Sequence, residues 1–145
     1  MPTTAYFGER FEEFSKHVQT EIINTNSLPP DFHADIVIID GTPPSDAKVE
    51  VGTIGVVSSD NTEALACFLR SGVRTVTCGL SHRDTVTVSS SVGSVVVCLQ
   101  RRLPTFALGV LEPAEYTVED ALSKTDDVDL LLLVSAVRLL TTGEI

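Results

Sequence analysis

The chain has 145 residues, 43 % of them hydrophobic, with 20 acidic residues against 10 basic ones and a net charge of −10. That length suits one domain spanning residues 1–145, able to bury roughly 70 % of its unfolded surface without a metal or disulfide staple. The negative field repels phosphate backbones and anionic headgroups, which argues against nucleic-acid and membrane partners.

Residues 6–23 predict a first helix, because Phe7, Phe11, Phe14 and Val18 recur on one face at helical spacing. Pro29 and Pro30 end it. Ala34 to Asp40 contains four consecutive β-branched residues and predicts a strand covered on both faces, as in a parallel sheet. A Gly-Pro-Ser loop follows, then a second buried strand from Thr53 to Val57. Thr62 to Arg70 predicts a helix, with Asp60 and Glu63 spaced as a capping box and Gly72 as its C-terminal glycine. Val73 to Thr77 is the next strand, so this stretch is a βαβ unit with parallel strands.

Beyond Gly79 the hydrophobic period changes. Asp84–Ser90, Ser94–Gln100 and Phe106–Leu111 predict an antiparallel meander with short connections at Ser91-Val92-Gly93 and Arg102-Leu103-Pro104. Thr117 to Leu122 predicts a small helix. The apolar run from Val128 to Leu140 predicts a closing helix, too short for the ~20 residues that span a bilayer. The expected fold is α/β: a Rossmann-like βαβ core with parallel strands, an antiparallel meander, and helices at both ends. The closing helix is apolar on more than one side, which predicts either a central helix buried under the sheet or a homodimer through its surplus face.

Cys67, Cys78 and Cys98 are odd in number, lack a C-x-x-C pair and lie in apolar segments. They read as buried, reduced structural thiols, which points to the cytoplasm. The first residues carry no long apolar run, so no secretory leader is expected. His17 and His33 read as solvent-facing.

Residues 34–90 contain Val57-Ser58-Ser59-Asp60-Asn61, a helix to Gly72, Thr77-Cys78-Gly79-Leu80-Ser81, and Asp84-Thr85-Val86-Thr87-Val88. This order resembles the distal half of the central, ATP-binding domain of the Mur ligases. The resemblance implies that the family's adenine-contacting Asn falls at Ser58 and its metal-binding acid near Asp40. The departures are larger than the matches. No glycine is followed by lysine, so the phosphate loop ending in Gly-Lys-(Ser/Thr) is missing. The resemblance therefore implies a reduced relative without ligase chemistry.

In a parallel sheet, loops at the strand C-terminal ends border the ligand crevice. Asp40, Ser58, Asp60, Cys78, Ser81, His82 and Asp84 follow such strands and are the candidate ligand-binding residues. Ser81-His82-Arg83-Asp84 holds triad residue types, but triads assemble from separate elements, and four neighbours read as a polar turn. No catalytic residue, metal site or cofactor is expected. The sequence favours a noncatalytic binding or interaction domain; the alternative is a small enzyme or a nucleotide- or UDP-sugar-binding protein using that crevice.

Overall fold

The computed structural model describes residues 1–91 and 93–145, so Val92 in the expected Ser91-Val92-Gly93 connection lies outside the described residues. The elements are β1 (Thr4–Phe7), α1 (Phe11–Ser15), β2 (Ile22–Asn24), β3 (Ile36–Ile39), β4 (Ile54–Ser58), α2 (Thr62–Ser71) and β5 (Arg74–Cys78). They continue with β6 (Val86–Ser91), β7 (Ser94–Leu99), β8 (Leu103–Pro104), β9 (Val110–Leu111), β10 (Ala114–Val118), a 3₁₀ turn at Ala121–Lys124 and α3 (Val128–Thr142).

One eight-stranded sheet runs β10-β7-β6-β5-β4-β3-β1-β2. The strands from β2 through β5 are parallel. β6 joins β5 in parallel through the single pair Cys78↔Val86, and β7 and β10 continue antiparallel. The expected α/β class, with a parallel core passing into an antiparallel meander, is the observed one. Strand alternation splits the core into two layers. Ile36 and Ile38 face a cluster that contains Phe14, Leu122 and the apolar residues of α3 from Leu130 to Leu140. Val37 and Ile39 face Ala64, Cys67 and Phe68 of α2. Gly55 on β4 admits this second layer, because a Cβ there would stand 2.8 Å from the Phe68 ring.

Three segments differ from expectation. Residues 6–23 are not one helix but β1, α1 and β2. Thr4, Ala5 and Tyr6 are fully buried, and β1 pairs with β2 on one edge and β3 on the other. Two-sided pairing outweighs a local helical pattern. The aromatic spacing has another origin: Tyr6 from the strand meets Phe11 and Phe14 from the short helix, with ring centroids 6.0 and 5.2 Å apart.

Phe106–Leu111 is not a full strand either. Thr105 N–H donates to Gly109 O at 2.7 Å, and Gly109 takes φ 70°, so the chain turns back and pairs β8 with β9. The third strand of the meander is β10 instead. It takes Thr117 and Val118, where the sequence predicts the start of a helix, because β7 offers them an open edge. Only Ala121–Lys124 turns helically there.

The helix termini follow local chemistry. Asn61, rather than Asp60, caps α2, its Oδ1 accepting from Ala64 N–H at 3.2 Å. Gly72 closes it with a left-handed φ of 67°. Asp127 caps α3 through Leu130 N–H at 3.1 Å. From Leu130 to Leu140 every apolar residue of α3 is at most 5 % exposed. The sheet covers one side, and Phe14, Leu103 and Leu122 belong to the same core. The surplus face that argued for self-association is thus covered within the chain. Among the described residues no helix is long and apolar enough to cross a membrane.

Candidate functional site

The winding of the sheet reverses between β1 and β3. β1 leads through α1 to β2 on one side, and β3 leads to β4 on the other. Such a switch point leaves a crevice outside the strand C-terminal ends. Here it is bordered by Gly8–Arg10, Asp40–Thr42, Ser58–Asp60, Gly79–Asp84 and the start of α3. It comprises two open clefts of about 700 and 730 Å³ that share Asp129.

The sequence-predicted residues divide among these parts. Asp60, Ser81 and Asp84 line the first cleft, and Asp40 lines the second. Ser58 is buried, its Oγ donating to Asp129 Oδ1 at 3.3 Å. Cys78 lies beneath the floor, 1 % exposed, with its thiol 3.6 Å from Leu132 O. Burial, then the Asp84 and Asp129 carboxylates, push that thiol well above its ordinary range. His82 is exposed and lines neither cleft. Ser81 Oγ accepts from Arg83 N–H at 3.1 Å, and Asp84 Oδ2 accepts from Ser81 N–H at 3.0 Å, so the Ser-His-Arg-Asp stretch is a self-bonded turn. Gly79 is required beside it, because a Cβ there would stand 2.5 Å from Asp84 Oδ2.

The second cleft is organised by residues that the sequence reading missed. Arg10 Nε donates to Asp40 Oδ2 at 2.9 Å and Nη2 to Oδ1 at 2.8 Å. Its Nη1 pairs with Asp127. Tyr6 Oη donates to Asp40 Oδ2 at 2.5 Å and accepts from Arg10 N–H at 3.0 Å. Burial, then the Asp40 carboxylate, raise the Tyr6 phenol far above its usual range, so it stays a donor. Asp40 holds Arg10 still more firmly protonated, against the cost of burial. Both oxygens of Asp40 are therefore engaged. Among the described residues no three His, Cys, Asp or Glu side chains converge as a metal cage. The available signal was Gly8 directly after the strand-forming run Thr4-Ala5-Tyr6-Phe7, which marks a strand-to-helix turn.

No family model, curated protein or solved structure matches this chain.

Proposed function

We propose that the chain is a noncatalytic binding domain, a reduced relative of the Mur ligase central domain, that takes a small cationic ligand in the crevice at the strand C-terminal ends. One observation carries the reading. Asp60, Asp84, Asp126, Asp127 and Asp129 line one cleft, and Arg10, among the described residues the only basic one lining either, is already paired with Asp40 and Asp127. A phosphate entering there meets carboxylates and no free cation, whereas an amine is attracted.

Two further features support it. The turn from β1 into α1 is the strand-to-helix turn at the switch point, where a phosphate loop would do its work. It holds one glycine, an acidic Glu9 and an arginine turned to Asp40, and it opens a helix of five residues. Successive free amides and a long helix dipole are what bind phosphate, and this turn supplies neither. Among the described residues the clefts present no activated nucleophile: Cys78 is buried with its thiol pKa raised, Ser58 is buried, and neither Ser58 nor His82 lines either cleft. Cytoplasmic residence belongs to the same reading and is supported by three free thiols. Self-association through α3 has only Val128, 42 % exposed, to offer from its apolar residues.

A thermal-shift titration tests the reading, because a ligand that binds the native state alone raises its stability. Spermidine is expected to raise the melting temperature, less so in high salt, and the combined Asp126→Asn and Asp129→Asn variant is expected to lose that response. Mg-ATP and UDP-sugars are expected to leave the wild type unchanged. Micromolar affinity for ATP or a UDP-sugar by calorimetry would overturn the proposal and establish the nucleotide-binding or enzymatic alternative.

A further inference from the structure

Toward the N-terminal end of β5, away from the crevice, the sheet has a notch. β5 pairs with β4 along its whole length, from Arg74 to Cys78. On its other side it meets β6 only at Cys78↔Val86. The backbone groups of successive strand residues point to opposite neighbours. Ser59 N–H donates to Cys78 O on the β4 side, and Thr85 N–H donates to Thr77 O on the β6 side. Thr75 has the parity of Thr77, so its N–H and C=O point into the notch, where no strand of the described residues runs.

A groove of about 440 Å³ lies along this half-edge. Arg74, Arg101 and Arg102 line it together with the apolar Leu103, Pro104 and Val110. Arg83 adjoins them, its carbonyl accepting from Arg101 Nη2 at 2.8 Å. Three of the chain's 10 basic residues thus line one small groove, with the Arg83 backbone beside them, on a molecule whose net charge is −10. Arg74 is exposed and has no acidic partner among the described residues. Arg102 pairs with Glu112 at 3.1 Å, but both side chains are more than two-thirds exposed or nearly so, and such pairs exchange readily. The ribbon tip beside the groove leaves Phe106, Leu108 and Val110 about half exposed. Arginine and aromatic side chains beside an apolar groove are the composition of binding hot spots.

We infer that this half-edge docks an extended acidic segment of a partner protein. The segment adds as a short strand beside β5, exchanging backbone hydrogen bonds with the N–H and C=O of Thr75 and accepting from the N–H of Thr77, whose C=O stays with Thr85, and sets carboxylates on Arg74 and Arg102 and apolar side chains on Leu103 and Val110. Strand addition uses unpaired backbone groups for affinity and alternate side chains for selectivity. A nucleic acid would use the arginines but leave the Thr75 backbone groups unmatched, so a peptide fits better. The inference is independent of the crevice and stands whether or not the crevice binds a cation.

The test follows backbone amides by NMR during titration with a capped pentapeptide alternating glutamate and valine. The Thr75 and Thr77 amides are expected to shift, and the Arg74→Glu variant to bind about tenfold more weakly or worse. The same loss is expected for Arg102→Glu, which serves where Arg74→Glu perturbs the fold, and for a peptide with proline at its centre. The inference is overturned if Thr75 does not shift at about 1 mM peptide, or if a lysine–valine peptide binds equally. Tighter binding of single-stranded oligothymidylate, or occupation of the edge by a second copy of the chain, overturns it too.

Discussion

Arg10 and Asp40 meet through two parallel hydrogen bonds, Nε to Oδ2 at 2.9 Å and Nη2 to Oδ1 at 2.8 Å, and so tie the turn after β1 to the end of β3. The Asp40 side chain is 9 % exposed and that of Arg10 26 %. Removing the arginine leaves a nearly buried carboxylate with only Tyr6 as donor, and an uncompensated charge costs more than the pair contributes. Arg10→Ala is expected to lower stability by about 2–3 kcal/mol in urea unfolding. Arg10→Lys keeps the charge but loses the fork and should fall between. A double-mutant cycle with Asp40→Ala giving coupling below about 0.5 kcal/mol would show that the pair is incidental.

The alkaline limb of the stability profile has a definite sign. Tyr6 and Cys78 both hold their protons more tightly when folded, through burial first and nearby carboxylates second. A group whose folded pKa is raised contributes fully below its unfolded pKa, and that contribution is lost as pH rises toward the folded value. With unfolded values near ~8.5 for cysteine and ~10 for tyrosine, stability is expected to decline from about pH 8.5 upward. Denaturant midpoints measured from pH 7 to 11 check this, and Cys78→Ala should flatten the first part of the fall.

The thiols are graded by burial. Cys67 and Cys78 are buried and Cys98 is half-buried, and burial raises the Cys67 pKa as well. A thiol reagent at neutral pH is expected to label Cys98 first and the other two only on unfolding, since the thiolate is the reactive form. Mass spectrometry of partly labelled protein decides it; early labelling of Cys78 contradicts the buried floor of the crevice.

No leucine of α3 faces solvent, since Leu130 to Leu133, Leu139 and Leu140 are all at most 5 % exposed. Leu133→Glu is therefore expected to give unfolded or insoluble protein rather than a folded monomer, because an unpaired buried charge exceeds the stability of a small domain. Leu133→Ala should cost about 2–5 kcal/mol. Circular dichroism with sedimentation reads both.

Gly79→Ala probes the crevice itself. The new methyl would crowd Ser59 Oγ and Asp84 Oδ2, forcing the 79–84 turn to move. A loss of about 1–3 kcal/mol is expected, the usual cost of overpacking, together with weakened binding of any ligand held by Asp84. An unchanged melting temperature would mean that the turn yields freely.

Much of this protein was legible in its residues. The β-branched run Ile36–Ile39, Gly72 at the end of α2, and the apolar run of α3 carry their structure locally, through period, capping chemistry and burial of their own side chains. The parallel pairing of β4 with β5 followed from the βαβ spacing. Four of the seven candidate residues, Asp40, Asp60, Ser81 and Asp84, line the crevice, because loops at parallel strand ends gather there whatever their sequence. Tertiary structure decided the rest. Thr4–Phe7 became a strand because β2 and β3 stood ready to pair both its edges, and Thr117–Val118 joined β10 because β7 had an edge to fill. For the Tyr6–Arg10–Asp40–Asp127 network, drawn from three segments, Gly8 marked the turn but nothing in the linear chain marked the partners, since an ion pair has no period. The covering of α3 and the notch beside β5 are likewise properties of which elements come to lie together, and that depends on contacts between residues far apart in sequence.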